Sequence, residues 1–417
     1  MFTAANGILT PAIFIDSKMK KLLLFALSAV LLTPLWMWLG WCLTPHRKLT
    51  VAIIDKTVTG PLRQEHISLD WVLNQQRFSK TPNTGYEPDR DYFGFFPGDG
   101  FHYRLKGLER FSTDDLDRLS ADADLVYFTD TYGVYSADWY PRLPQGTASR
   151  LLYGGMSAQD MQLLRDIKAR HKLAIAEFNS VGSPTPEVLR HEFEALYGLR
   201  WTGWTARYYN SLDTLQNPDL PGWLITQYKA ANGNRWPFHR SGIAWVNNTG
   251  EVVVTEDSSD LSSPLPEIEV SAAGRKIGLP GRIAYPFWFD VVDPASIAPA
   301  NGSLADFVID VNPSGAALLA RHGIPARFPA VLRHTGRDYG FYYFSGDFCD
   351  NPIAYASSYF KGAALLHRLA AKSSGPADRR PFFWTFYRPL LTHILEEEYS
   401  RRQQDRPGPG RLSDKTP

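Results

Sequence analysis

Apolar residues follow three rhythms along this chain. The first is an unbroken run, Leu22–Thr44, with no formal charge over 23 residues and with Lys20 and Lys21 in front of it. A helix of that length rises roughly 34 Å, enough for a hydrocarbon core ~30 Å thick. The run predicts an uncleaved transmembrane helix over residues 22–44 behind a short tail over residues 1–21. Trp36, Trp38 and Trp41 stand where a cleaved signal would need small residues, and they read as an interfacial belt. Trp41 before Cys42 also argues against a lipoprotein signal, and Pro34 implies a kink. Lys18, Lys20 and Lys21 against Arg47 and Lys48 give a slight charge bias that puts the bulk of the chain outside the cytoplasm. Met19 offers a second start, from which the chain reads MKKLLLFALSAVLL.

The second rhythm alternates strand-length apolar runs with helical periodicity. Leu49–Asp55, Asp124–Thr129 and Leu173–Phe178 read as buried strands. Glu65–Phe78, Ser112–Leu119, Ser157–Arg170 and Thr185–Tyr197 read as helices. Ser112 with Asp115 has the spacing of a capping box, and Thr185 reads as an N-cap with Pro186 at the first helical position. Thr81–Gly100 reads as a long loop. The third rhythm, over residues 201–290, is rich in Trp, Gly and β-branched residues, with a hairpin over Gly242–Thr255 that turns at Asn247–Gly250. The α/β pattern then returns in Phe307–Val311, a helix near Ser314–His322, Phe328–Leu332, Tyr339–Phe344, and helices over Asn351–Leu369 and Pro381–Tyr399.

These elements predict an α/β fold: an open, mostly parallel sheet covered by helices, with an inserted β-rich segment and the N-terminal transmembrane helix. The organisation read from them is an α/β half over residues 46–200, a β-rich segment over 201–290, an α/β part over 291–400 and a disordered tail over 401–417. Ser262–Pro266 is the best linker.

Composition narrows the function. The 44 basic residues nearly balance the 43 acidic ones, which leaves no electrostatic footprint for nucleic acid. Of the two Cys, Cys42 lies in the apolar run and Cys349 stands alone, so a disulfide within the globular part is excluded. Aromatics make up 13% of the chain; they suit both large cores and stacking platforms for sugar rings. There is no P-loop and no dinucleotide fingerprint. Ser157 lacks the second Gly of a nucleophile elbow. No two His are three to five residues apart, and HEFEA at His191 lacks the second His of a zinc helix. No metal or cofactor is expected.

Ligands of open α/β sheets bind beyond the carboxyl ends of the strands, and acidic residues recur there: Asp55, Asp130, Glu177, Asp290 and Asp347. Each suits local capping, but two carboxylates in unlike environments can also divide acid and base roles. Asp130 and Glu177 form the first candidate pair, with Asp55, Asp347 and His66 behind them. Lys56, Arg63, Tyr132, Asn179, Arg207 and Asp290 are candidate binding residues, Arg207 as an ion-pair partner of a strand-end carboxylate.

The element order around GGMSAQDMQLLRDIKARHKLAIAEFN, over residues 49–200, resembles the open sheet of class I glutamine amidotransferases and their non-catalytic relatives, without the elbow Cys. DKTV with EHISLDWVLN, TDTYGVY, AEFN with SPT, WTGWTARYY and YYFSGDF resemble an uncharacterised family of bacterial membrane-anchored proteins, which implies a cell-envelope location and no reaction. Two functional expectations follow. One is binding or hydrolysis of envelope glycan through the strand-end carboxylates. The other is a non-catalytic amidotransferase-like module that binds a protein or polymer.

Overall fold

The computed structural model describes residues 17–140, 149–370, 375 and 378–405; expectations for residues 1–16 and 406–417 lie outside the described residues. The N-terminal apolar run forms two helices, Ser17–Leu31 and Thr33–Cys42. No helix among the described residues is long and apolar enough to cross a membrane. Pro34 supplies the physical reason: it has no N–H to give the preceding turn, and its ring crowds the carbonyl four residues back. The expected transmembrane helix over residues 22–44, and the signal anchor built on it, are corrected on this point. The second helix docks on the body. Trp41 Nε1 donates to Asn74 O at 3.0 Å, and the Trp41 ring lies 3.9 Å from the Arg77 guanidinium and 4.8 Å from the Tyr359 ring.

Ten strands form one sheet in the order Arg282–Ala284, Glu267–Val270, Asn301–Val308, Arg327–His334, Gly340–Phe344, Leu173–Glu177, Leu125–Asp130, Val51–Asp55, Phe93–Pro97 and Tyr103–Lys106. The five from Gly340–Phe344 to Phe93–Pro97 run parallel. Every other pairing is antiparallel. The expected mostly parallel sheet is therefore a mixed sheet with a parallel centre. Parallel pairing needs a long crossover; the strand–helix alternation up to residue 200 supplies one each time, whereas residues 335–339 between the Arg327 and Gly340 strands can only turn the chain back. The first and last α/β parts thus share one sheet. A second, antiparallel sheet in the order Val252–Glu256, Gly242–Asn247, Trp201–Tyr209 and Phe289–Val292 forms from the β-rich segment.

Period-two alternation sorts the central strands. Ile53, Tyr127 and Ile175 enter one apolar cluster with Leu69 and Val72 of helix Gln64–Gln75 and Leu391 and Ile394 of helix Arg388–Asp405. Ile54, Phe128 and Ala176 enter another, with Leu116, Leu163 and Phe193 from helices Thr113–Asp122, Ala158–Ala169 and Glu187–Tyr197. Ser112 and Ser157 close capping boxes with Asp115 and Asp160. Three local expectations are corrected. Residues 93–97 of the expected loop form a strand. Thr185 caps no helix, because its hydroxyl accepts from Met156 N and donates to Ser180 O. Helix Arg388–Asp405 runs into the expected tail.

Candidate functional site

Asp55 and Asp130 are register partners at the carboxyl ends of adjacent parallel strands, where the pairing shifts by a bulge. Helix Gln64–Gln75 follows the Asp55 strand and carries His66 back onto it: His66 Nδ1 lies 2.5 Å from Asp55 Oδ2, and Nε2 lies 2.8 Å from Pro88 O. Both residues are fully buried. Burial alone would lower the His66 pKa, but the hydrogen bond and charge of Asp55, with the charge of Asp70, lift it to about 9. The ring is therefore an imidazolium at neutral pH and donates from both nitrogens. Asp130 is buried beside this pair. Its Oδ1 accepts from Tyr132 N at 2.6 Å, and Thr57 Oγ1, which hydrogen-bonds Asp130, also accepts from Gly133 N at 2.8 Å. Burial first, then the Asp55 charge, push the Asp130 carboxyl well above the usual range.

Two further elements close on this edge. The loop after Phe344 brings Asp347 and Asp350, which share Arg379: Nη2 is 3.3 Å from Asp347 Oδ2 and Nη1 is 3.0 Å from Asp350 Oδ2. Burial and the Asp350 charge raise Asp347, with Asp130 contributing. Glu65, at the start of the His66 helix, is raised to about 8 by burial and then by Asp55. The edge thus gathers Asp55, Glu65, Asp130, Asp347 and Asp350 around two cations, His66 and Arg379. Among the described residues no group of three His, Cys, Asp or Glu is arranged to hold a metal.

The other expected residues lie elsewhere or are fully engaged. Glu177 is sealed: Oε1 accepts from the Tyr127 hydroxyl, and Oε2 accepts from Phe348 N at 2.8 Å and Cys349 N at 2.9 Å. Period two sends Glu177 to the face that carries Tyr127 and Tyr387, so it anchors the turn that presents Asp347. Fully buried and bonded at both oxygens, Glu177 presents no free oxygen to a ligand, unlike the expectation of Asp130 and Glu177 facing each other across an open cleft. Lys56 points away into an ion cluster, 2.5 Å from both Asp160 Oδ2 and Glu109 Oε1. Arg63 Nη1 donates to Pro61 O at 2.7 Å. Asp290 accepts from Tyr343 Oη at 2.8 Å, Thr205 Oγ1 at 3.0 Å and Asn179 N at 3.3 Å. The Arg207 guanidinium sits over the rings of Tyr209 and Trp288, at 5.1 and 5.9 Å, and not on a strand-end carboxylate. Tyr132 is exposed beside Asp130. Glu65, Asp350 and Arg379 were not singled out in the sequence. Glu65 next to His66 and the Asp347-x-x-Asp350 spacing were the available signals; Arg379 had none.

This charge pattern makes stability depend on pH. Burial raises Asp70 to about 7 and, with Asp55, raises Glu65 to about 8. Between about pH 4 and those values the folded state holds more protons than the unfolded one, so stability falls as pH rises across that window. His66 adds a slope of the same sign: its contribution is complete below about 6.5 and is lost as pH rises through about 9. The melting temperature is expected to fall steadily from pH 5 to 9, and Asp70→Asn to flatten the part below about pH 7. An equally steep fall in that variant, measured by circular dichroism, removes Asp70 from the account.

No family model matches the chain, and no curated protein matches it. Among solved structures, it is similar to a β-galactosidase from Bacillus circulans sp. alkalophilus (12% identity, TM-score 0.32, 74% of this chain and 30% of that one). It is also similar to a ThuA-like protein from Bacteroides uniformis (9% identity, TM-score 0.32, 72% of this chain and 82% of that one). A third likeness is to a carbohydrate deacetylase (9% identity, TM-score 0.24, 82% of this chain and 33% of that one). The chain therefore spans about a third of the β-galactosidase and of the deacetylase, and likenesses this distant carry nothing about chemistry.

Proposed function

We propose that the carboxyl edge of the parallel strands is an acid–base site acting on carbohydrate, with Asp130 as the proton donor and Asp55, bonded to imidazolium His66, as its partner. The observation that carries this reading is the unlike environments of two neighbouring carboxyls. Asp55 faces a cation at 2.5 Å, while burial and the Asp55 charge push the Asp130 carboxyl well above the usual range. Glycosidic cleavage needs that asymmetry. The test is reducing-end release from a panel of soluble polysaccharides by the wild type and by Asp130→Asn. Release by the wild type alone supports the assignment; equal release by both, or by neither, removes it.

A non-catalytic carbohydrate-binding module is the second reading. The closure of Glu177 by three hydrogen bonds favours it, since it removes one of the two expected acid–base groups. Saturable oligosaccharide binding without any release would select this reading.

A further inference from the structure

Strand Phe93–Pro97 pairs with Val51–Asp55 so that Asp55 faces Gly94. Pro97 therefore lies three residues, roughly 10 Å, beyond Asp55 on the carboxyl side. The chain turns there and returns as Tyr103–Lys106. The tip is strained: Gly100 has φ 63° and so does Phe101, a left-handed backbone that is an outlier for a bulky residue. Phe101 is 53% exposed and Tyr103 38%. Trp139 fixes both from below. Its Nε1 donates to Phe101 O at 2.8 Å, and its ring centroid is 6.5 Å from Phe101 and 6.0 Å from Tyr103.

From Trp139 the chain leads back to Tyr132, beside the buried Asp130. Trp139 closes the short helix Ser136–Trp139, which begins directly after Tyr135. Tyr135 lies 5.0 Å, centroid to centroid, from Tyr132. Tyr132 is 40% exposed, and its N–H is the one bonded to Asp130. Exposed polar side chains, Asp99, His102, Arg104 and Asp138, interrupt the rings. Separate ring faces among hydrogen-bonding groups match a sugar chain, which offers C–H faces and hydroxyls in alternation. Among the described residues they do not make the continuous apolar patch that a protein partner covers.

We propose that Phe101, Tyr103 and Tyr132 form a stacking track that holds an extended saccharide chain and leads it to Asp130. This deepens the acid–base reading and rests on it for the ligand class: the ligand is a chain several rings long, not a monosaccharide.

The experiment is isothermal titration of the purified protein with cellohexaose, chitohexaose and maltohexaose and with their disaccharides. It compares the wild type with Phe101→Gly, Tyr103→Ala and Asp130→Asn. Phe101→Gly removes the ring and relieves the backbone, so it stays folded. At least one hexasaccharide is expected to bind about tenfold more tightly than its disaccharide, and Phe101→Gly and Tyr103→Ala are each expected to weaken it about tenfold. The disaccharide is expected to be unaffected, and Asp130→Asn to keep hexasaccharide affinity. Ring-dependent binding without turnover upholds the track and removes the acid–base site. Turnover that depends on Asp130 with binding indifferent to both ring variants removes the track alone. Binding of no hexasaccharide, or a concentration-dependent dimer that Phe101→Gly abolishes, overturns the proposal.

Discussion

Lys56→Met is expected to lower the unfolding free energy by about 3–5 kcal/mol, because it removes one partner of a buried ion pair and leaves the other charge uncompensated. Lys56 is 1% exposed, and its ammonium meets Asp160 and Glu109 at 2.5 Å and Gly155 O at 3.0 Å. Burial opposes the charged form, but the two carboxylates more than offset it and the Lys56 pKa rises. Asp160 is fully buried and also caps helix Ala158–Ala169 through Ser157, so it cannot move to solvent when the ammonium goes. For a chain of this size the loss amounts to roughly 4–6 °C in melting temperature. Adding Asp160→Asn to Lys56→Met is expected to restore part of it, since the pair then leaves together. Chemical denaturation of the two single variants and the double variant measures the coupling. A single-variant loss under about 1 kcal/mol would place Lys56 with ordinary surface ion pairs.

Lys56 also shows what the sequence could not reveal. It follows Asp55 directly, and both stand at a strand end, where side chains alternate between faces. Asp55 turns toward helix Gln64–Gln75, and Lys56 turns toward helix Ala158–Ala169, about a hundred residues away in sequence. Periodicity and caps made the three parallel strands, the capping box at Ser112, the N-cap at Ser157 and the hairpin at Asn247 legible, because each rests on neighbours in sequence. The same local logic put Asp55, Asp130 and Asp347 at strand ends, where the fold brings them to one edge. It failed where a distant element decides. Glu177 looked like any strand-end acid, and its closure depends on Tyr127 and on the turn at Phe348. The apolar run looked like one span, and Pro34 divided it. Arg379 stands in an unremarkable stretch and matters only because the fold sets it between Asp347 and Asp350.

If the proposed acid–base site is right, Asp130→Asn is expected to reduce carbohydrate turnover by about 10²–10⁴-fold, the usual contribution of a positioned acid, while binding remains. It is also expected to leave stability unchanged or raise it at alkaline pH, because an amide in that buried place never has to ionise. Glu177→Gln separates the site from its support. The variant keeps an acceptor for the Tyr127 hydroxyl, but one of its polar atoms becomes a donor close to the N–H groups of Phe348 and Cys349. A buried hydrogen-bonding group left without its partner costs about 1–3 kcal/mol, so this variant is expected to melt earlier and to keep turnover within a few fold. On the proposed reading the pair inverts what strand-end chemistry alone suggests, since only Asp130 would meet the ligand. Turnover and melting temperature measured on the same preparations decide it. A Glu177→Gln variant that melts normally but loses turnover, beside an active Asp130→Asn, would move the chemistry from the Asp55 edge to the Glu177 turn.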